Sequence, residues 1–249
     1  MNIRDIVAPN PGPFTLSGTR TYLIDDFAVI DPGPAIDSHI DAIRKAMPKL
    51  RTIFITHRHG DHAPAAVPLK NATGARIYAP AGVLDETDQI VRDAETIESL
   101  DVIATPGHTR EHVCYMTGDR DLFTGDTILG SGTTAIFPPD GSMGDYIRSL
   151  EKLRAKNPRR IWPAHGPTRD DALQLIDEYI AHRRDRERQV IEALRAGAHT
   201  IPEMRERIYA ELDPRLRPAA EVQVHAHLIK LLDEQKVEMR DGAYFLAGV

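Results

Sequence analysis

Between Thr56 and His62 the chain reads Thr-His-Arg-His-Gly-Asp-His, three imidazoles and one carboxylate within seven residues. Imidazole is the commonest protein metal ligand, and carboxylate is its usual hard partner. On an extended or sharply turning backbone, side chains two apart fall on one side, so His57 and His59 can grip a single ion together. Asp61 and His62 follow on the next turn, displaced far enough to reach a second ion. The apolar run Ile53-Phe54-Ile55 leads straight into this cluster, as a buried strand would.

Three further segments repeat the arrangement. His108 stands in Thr105-Pro106-Gly107-His108-Thr109 after the run Val102-Ile103-Ala104, Asp126 closes Leu122-Phe123-Thr124-Gly125, and His165 follows Ile161-Trp162-Pro163-Ala164. Each is a short apolar run ending at a turn-forming Gly or Pro beside a ligand-capable side chain. Four strand ends carrying such groups describe a rim. Five histidines and two aspartates suit two zinc-like divalent ions with positions left open for water or substrate, and oxygen and nitrogen donors also admit iron or manganese. One such residue is ordinarily a strand cap. Seven in this order form a metal site.

The pattern Thr56-His57-x-His59-x-Asp61-His62, followed by His108, Asp126 and His165, resembles the metallo-β-lactamase superfamily, and Asp31-Pro32-Gly33 is similar to that family's first motif. The resemblance implies an α/β fold, a four-layer αββα sandwich, and a dinuclear site. It puts His57, His59 and His108 on the first metal, Asp61, His62 and His165 on the second, and Asp126 between them. It also implies hydrolysis by a metal-bridging hydroxide, with Asp61 as the catalytic carboxylate that orients the nucleophile. Asp31 becomes a candidate for orienting a ligand histidine from behind, or a simple turn carboxylate.

Composition bounds the rest. The 249 residues can bury a large core, and a net charge of −6 gives no general attraction for nucleic acid or anionic membrane. Cys114 is the sole cysteine, so no internal disulfide can form, and its apolar neighbours predict burial. The N-terminus lacks a basic stretch followed by an apolar one, and no apolar run approaches membrane-spanning length. A cytoplasmic protein is expected.

The elements that must carry these groups are legible in part. Strands are predicted at Thr21–Ile24, Ala28–Ile30, Thr52–Thr56 and Arg76–Ala79, and helices at 36–47 and 144–156. From about Asp170 to Arg195 the pattern is helical around the charge-rich run 183–188. Thr200-Ile201-Pro202-Glu203 signals a helix start, a third helix should span about 218–235, and Asp241-Gly242 should turn a hairpin between 237–240 and 243–246. Three helices and a hairpin give a small winged-helix-like domain at 181–249 after a hydrolase domain at 1–180. From residue 181 onward 12 basic side chains face 12 acidic ones. That balance argues against a duplex-DNA reader and for a structural wall or dimerisation surface. Homo-oligomerisation is left open.

Asn10-Pro11-Gly12-Pro13-Phe14-Thr15, Gly18-Thr19-x-Thr21-Tyr22-Leu23 and Ala226-His227-Leu228 narrow the resemblance to the lactamase-like endoribonuclease branch, whose members carry a C-terminal winged-helix-like domain. Ala63-Pro64-Ala65 departs from the small Ser/Gly-Gly segment of many relatives. The branch implies a single-stranded RNA substrate. The acidic charge and the habit of compact superfamily members favour a small-molecule thioester, lactone or other acyl group. A non-enzymatic DNA-binding regulator is the remaining class. His39, His182, His199 and His225 are read as surface or packing residues, His112, four residues after His108, as packing ahead of a helical pair, and His227 as a satisfied core histidine. Phe137-Pro138-Pro139-Asp140-Gly141, with Tyr146 and Arg148, is expected to shape the pocket.

Overall fold

A computed structural model describes residues 1–248. The first half of the chain builds one six-stranded sheet from β1 (Ile3–Val7), β2 (Arg20–Ile24), β3 (Ala28–Ile30), β4 (Thr52–Phe54), β5 (Arg76–Ala79) and β6 (Gln89–Ile90), in that spatial order. Pairing is antiparallel through β3 and parallel from β3 to β6. A five-stranded sheet follows from β7 (Thr96–Ile97), β8 (Leu100–Ala104), β9 (Val113–Thr117), β10 (Asp121–Gly125) and β11 (Arg160–Pro163). Its strands are antiparallel except for the β10–β11 pair.

The central strands of both sheets are buried on both faces, and the two-residue period of a strand decides which side chain goes where. Ala28, Ile30, Phe54 and Tyr78 from one sheet meet Val102, Val113, Tyr115 and Phe123 from the other in a shared core. Aromatic rings interlock there, with Tyr22–Phe123 and Phe54–Tyr115 centroids each 5.1 Å apart. The alternate residues Val29, Ile53 and Ile77 point outward beneath helices α1 (Asp37–Ala46) and α2 (Ala66–Thr73). On the opposite side Ile103, Cys114, Leu122 and Ile161 pack under α3 (Met143–Ala155) and α4 (Ala172–Arg195). The result is the expected four-layer αββα sandwich. Cys114 is fully buried, and burial pushes its thiol up to about 12, which fits an apolar packing role.

Two local differences from the sequence expectations have physical causes. The strand expected over 52–56 ends at Phe54, because the Thr56 carbonyl instead accepts from Val113 N–H of the second sheet at 3.0 Å. Helix α2 is unannounced in the sequence because Pro68 lies inside it. Pro68 sits in the first turn, where a missing N–H breaks no intrahelical bond.

The tail comprises α4, α5 (Ile201–Ile208), α6 (Arg217–Asp233) and the hairpin β12 (Val237–Arg240) with β13 (Ala243–Leu246). Thr200 and Glu203 form a reciprocal capping box at the start of α5. Val190, Leu194, Met204, Val224, Leu228, Val237 and Tyr244 give this unit its own core. Helix α4 serves both cores, since Ile176 and Ile180 pack under the second sheet while Val190 and Leu194 pack in the tail. The 180/181 boundary therefore falls inside a continuous helix.

His227 on α6 is 2% exposed, but neither ring nitrogen has a hydrogen-bond partner among the described residues. The satisfied histidine expected from the sequence is thus buried without a hydrogen bond, with Glu187 Oε2 4.0 Å from its Nδ1. Burial, then Arg183 and Lys230 nearby, lower its pKa from 6.5 to about 3. The unfolded chain binds this proton more readily, so the stability at stake is full above about pH 6.5 and is lost as pH falls toward 3. In the metal-stripped protein, His227→Leu should lose less Tm than the parent between neutrality and about pH 5. Parallel Tm losses would show that His227 does not couple folding to acid.

Candidate metal centre

The site forms where strand ends of both sheets meet. The loop after β4 carries His57, His59, Asp61 and His62, the turn after β8 carries His108, Asp126 directly follows β10, and His165 lies two residues beyond β11. All seven converge. His57, His59, His108 and Asp126 place one ligand-type atom each within 4.8 Å of one another, and Asp61, His62 and His165 do the same.

In the first group the facing atoms are His57 Nε2, His59 Nδ1 and His108 Nε2, with His59 Nδ1 2.9 Å from His57 Nε2 and 3.1 Å from His108 Nε2. Ligands held about 2.0–2.1 Å from a tetrahedral zinc would sit roughly 3.3 Å apart, so these spacings fit a shared ion. Asp126 Oδ2 lies 3.5 Å from His108 Nε2, and Asp126 Oδ1 lies 3.1 Å from His165 Nε2, which puts this carboxylate between the groups. His62 Nε2 and Asp126 Oδ1 are buried without a hydrogen-bond partner among the described residues. Their 3.4 Å separation is a charge contact and not an aligned hydrogen bond. Unpaired lone pairs on a buried imidazole nitrogen and a buried carboxylate oxygen so close together are what a cation would satisfy.

The electrostatics separate the two halves. Burial and the neighbouring imidazoles hold His57 and His59 below the usual histidine range, so both are neutral donors near pH 7. Burial opposes charge on His62 as well, but Asp126, Asp31 and Asp61 around it hold its imidazole well above that range. Burial also opposes charge on His165, yet its contacts with the Asp126 and Asp61 carboxylates push it up to about 9. Asp126, though buried, stays ionised because His62 and His165 face it. Protons on His62 and His165 offset the carboxylates here, and a divalent cation would supply that charge and displace them.

Each ligand histidine needs its other nitrogen fixed if the correct one is to face the site. Asp31 is central to that. Its carboxylate accepts from Thr56 N–H and Thr56 Oγ1–H, both at 2.8 Å, and lies 2.9 Å from His62 Nδ1. Thr56 Oγ1 is in turn 3.0 Å from His57 Nδ1, so one buried carboxylate sets the ring orientation of a histidine in each group. His108 Nδ1 bonds the Ala135 carbonyl at 3.0 Å. Thr19 Oγ1 donates to Asp61 Oδ2 at 3.0 Å, and Asn10 bonds Thr19 through both side-chain amide atoms.

Several positioning residues escaped the sequence reading. His112 is buried as expected, but it is more than packing. Its Nδ1 lies near the hydroxyls of Thr105 and Thr127, leaving Nε2 to accept Asp126 N–H at 3.2 Å. The only sequence signal was its place four residues after His108. Gly125 turns the chain into Asp126 at φ +47, and a Cβ there would lie 2.6 Å from Thr56 Oγ1 and 2.8 Å from His112 Nε2. Gln223 on α6 accepts from Ile136 N–H at 3.3 Å and donates to the Ile136 carbonyl at 3.0 Å, one residue beyond the carbonyl that holds His108. Arg183, one residue of the charge-rich run in α4, is 2% exposed and donates to Thr133 Oγ1 at 2.8 Å.

A cavity of about 500 Å³ opens over the cluster, lined by His59, Asp61, His108, Asp126 and His165 and walled by Phe14, Leu16, Leu129 and Phe137. Phe137 meets the expectation of a pocket wall. Tyr146 and Arg148 do not. Tyr146 is fully buried with its hydroxyl on the Thr127 carbonyl at 2.7 Å, and Arg148 pairs with Asp145 on a separate surface groove.

The sandwich and its paired His/Asp cluster define a class of metal-dependent hydrolase. The metallo-beta-lactamase superfamily model matches residues 15–90 and 80–165, and the beta-lactamase associated winged helix domain matches 200–243. The chain belongs to the metallo-β-lactamase superfamily and is a hydrolase with an appended winged helix. It is 34% identical over 257 residues to a beta-lactamase-like protein 2 homolog of Caenorhabditis elegans, spanning 94% of this chain and 85% of that one. It is 30% identical over 208 residues to an atrochrysone carboxyl ACP thioesterase of Aspergillus novofumigatus, spanning 78% of this chain and 63% of that one. A metallo-beta-lactamase family protein from Thermus thermophilus shares the fold at TM-score 0.79 and 20% identity, with 98% of each chain covered.

Asp31→Ala should lower metal affinity by roughly 10–100-fold, the usual effect of losing a carboxylate behind ligand histidines. Competition against a chromogenic chelator measures it, and unchanged affinity would remove Asp31 from the site. Gln223→Leu leaves both Ile136 backbone groups unpaired at a cost of about 1–3 kcal/mol. It should lower the Tm of the metal-free protein and weaken metal binding, because the same loop holds His108.

Proposed function

We propose that the chain hydrolyses an ester or thioester with a largely apolar acyl group at a pair of divalent ions, zinc by default. His57, His59 and His108 would hold one ion, Asp61, His62 and His165 the other, with Asp126 shared. When bound, such ions acidify water and polarise the scissile carbonyl. Asp61, partly exposed on the cavity floor and held by Thr19, would orient the attacking water and take its proton. Phe14 and Phe137 would shield the reacting carbonyl from bulk solvent.

The observation that carries this reading is the cavity wall. Phe14, Leu16, Leu129 and Phe137 line it, and among the described residues no lysine or arginine does. A single-stranded RNA needs cationic side chains along its phosphates and flat faces for its bases. The wall offers rings without the cations, which favours the acyl reading over RNA cleavage. The net charge of −6 points the same way, and so does the thioesterase named among the relatives.

Metal analysis followed by a panel of acyl thioesters, lactones, single-stranded RNA and a chromogenic β-lactam tests this. Thioester or ester turnover is expected, with RNA untouched. Loss of several kcal/mol of Lewis-acid stabilisation in His59→Ala or Asp126→Ala should cost at least roughly a thousandfold in kcat. RNA cleavage abolished by those substitutions, with no acyl turnover, would reverse the assignment.

A further inference from the structure

The cavity over the metal centre does not end at its aromatic wall. Pro13, Phe14 and Phe137 also line a second groove of about 590 Å³, whose far side is Leu216, Pro218, Ala219 and Val222 of the winged-helix unit. The two spaces therefore meet across Phe14 and Phe137, whose rings pack edge to face at 6.4 Å. Phe14 is 69% exposed and Leu216 53% exposed, large apolar surfaces at opposite ends of this groove. Among the described residues its one charged pair is internally neutral, since Arg215 and Asp213 bond each other at 2.6 Å.

The Phe137 side of the wall between the two spaces is held in place. Arg58, inside the metal-binding loop, pairs with Asp140 at 2.6 Å, and Arg110 donates to the Pro139 carbonyl at 2.6 Å. Gln223 clamps Ile136 from α6. Phe137 thus sits on a turn tied both to the metal loop and to the winged helix.

We propose that this groove is the acyl-chain subsite, and that the winged-helix segment 213–222 sets the length and bulk of the acyl group accepted. This rests on the acyl-hydrolase reading. A carbonyl at the His/Asp cluster would send its apolar tail over Phe14 and Phe137 toward Leu216, Ala219 and Val222. The occupant is an uncharged chain or fused-ring acyl group, because the groove shares Pro13, Phe14 and Phe137 with the reaction cavity and carries no unbalanced charge among its described residues. Each methylene withdrawn from water there is worth roughly a fourfold gain in affinity.

The test uses the full-length, metal-loaded protein and N-acetylcysteamine thioesters from acetyl to dodecanoyl. For the parent, kcat/KM should climb with chain length and then level off. Leu216→Glu, and independently Val222→Gln, should lower the dodecanoyl-to-acetyl ratio of kcat/KM at least about tenfold, mainly through KM, while Leu216→Met restores it. A ratio that neither substitution moves would overturn the subsite. So would a dimer that Leu216→Glu dissociates without changing the ratio. If no thioester is cleaved, the acyl-hydrolase reading fails and the subsite is judged by binding. Calorimetry with the non-hydrolysable S-dodecyl thioether should then show tighter binding to the parent than to Leu216→Glu, and equal binding overturns the proposal.

Discussion

A carboxylate buried under a histidine cluster is the constraint on which the rest of this molecule depends. Asp31 is 2% exposed, far from compensating solvent, and it keeps its place only because Thr56 and His62 surround it with donors. A buried charge without such partners is costly. The same bonds leave His62 Nε2, and through Thr56 also His57 Nε2, pointing toward the cluster. One electrostatic requirement thereby fixes the geometry of both halves of the centre. Asp31 itself follows β3, so the parallel pairing of β3 with β4 delivers the carboxylate and the histidine loop to the same edge.

The second organising feature is the continuity between the sandwich and its appendage. Helix α4 runs 24 residues and contributes to the core of each, so the winged helix is held against the hydrolase unit by a shared rigid element. Arg183 from α4 and Gln223 from α6 both bond the 133–136 backbone region beside the cavity. That segment carries the carbonyl of Ala135, which orients His108. The winged helix thus contacts the segment that holds His108.

The site was unusually legible from sequence because metal chemistry demands specific side chains, and those demands survive as local spelling. His57, His59, Asp61 and His62 fall in one loop, and His108, Asp126 and His165 each follow a short apolar run. The Asp241-Gly242 hairpin and the Thr200–Glu203 cap were equally readable, since turns and caps are local. Residues that act by touching something distant had no such signature. His112 reads as packing, Arg183 as one letter of a charge-rich helical run, and Thr19 as one letter of a motif. The bond between Gln223 and Ile136 joins residues 87 apart in the chain.

Sequence alone determined the identity of the chemical groups, the alternation that sorts each strand into inward and outward residues, and the superfamily to which these belong. Tertiary structure decided that Asp126 lies between two His/Asp groups, and that His112 faces Thr105, Thr127 and the Asp126 backbone. It also decided that the space above them is walled by Phe14, Leu16, Leu129 and Phe137. The division has a physical basis. Residue type and short-range periodicity are written along the chain, whereas the field at a buried atom and the shape of a cavity are set by segments that meet only after folding.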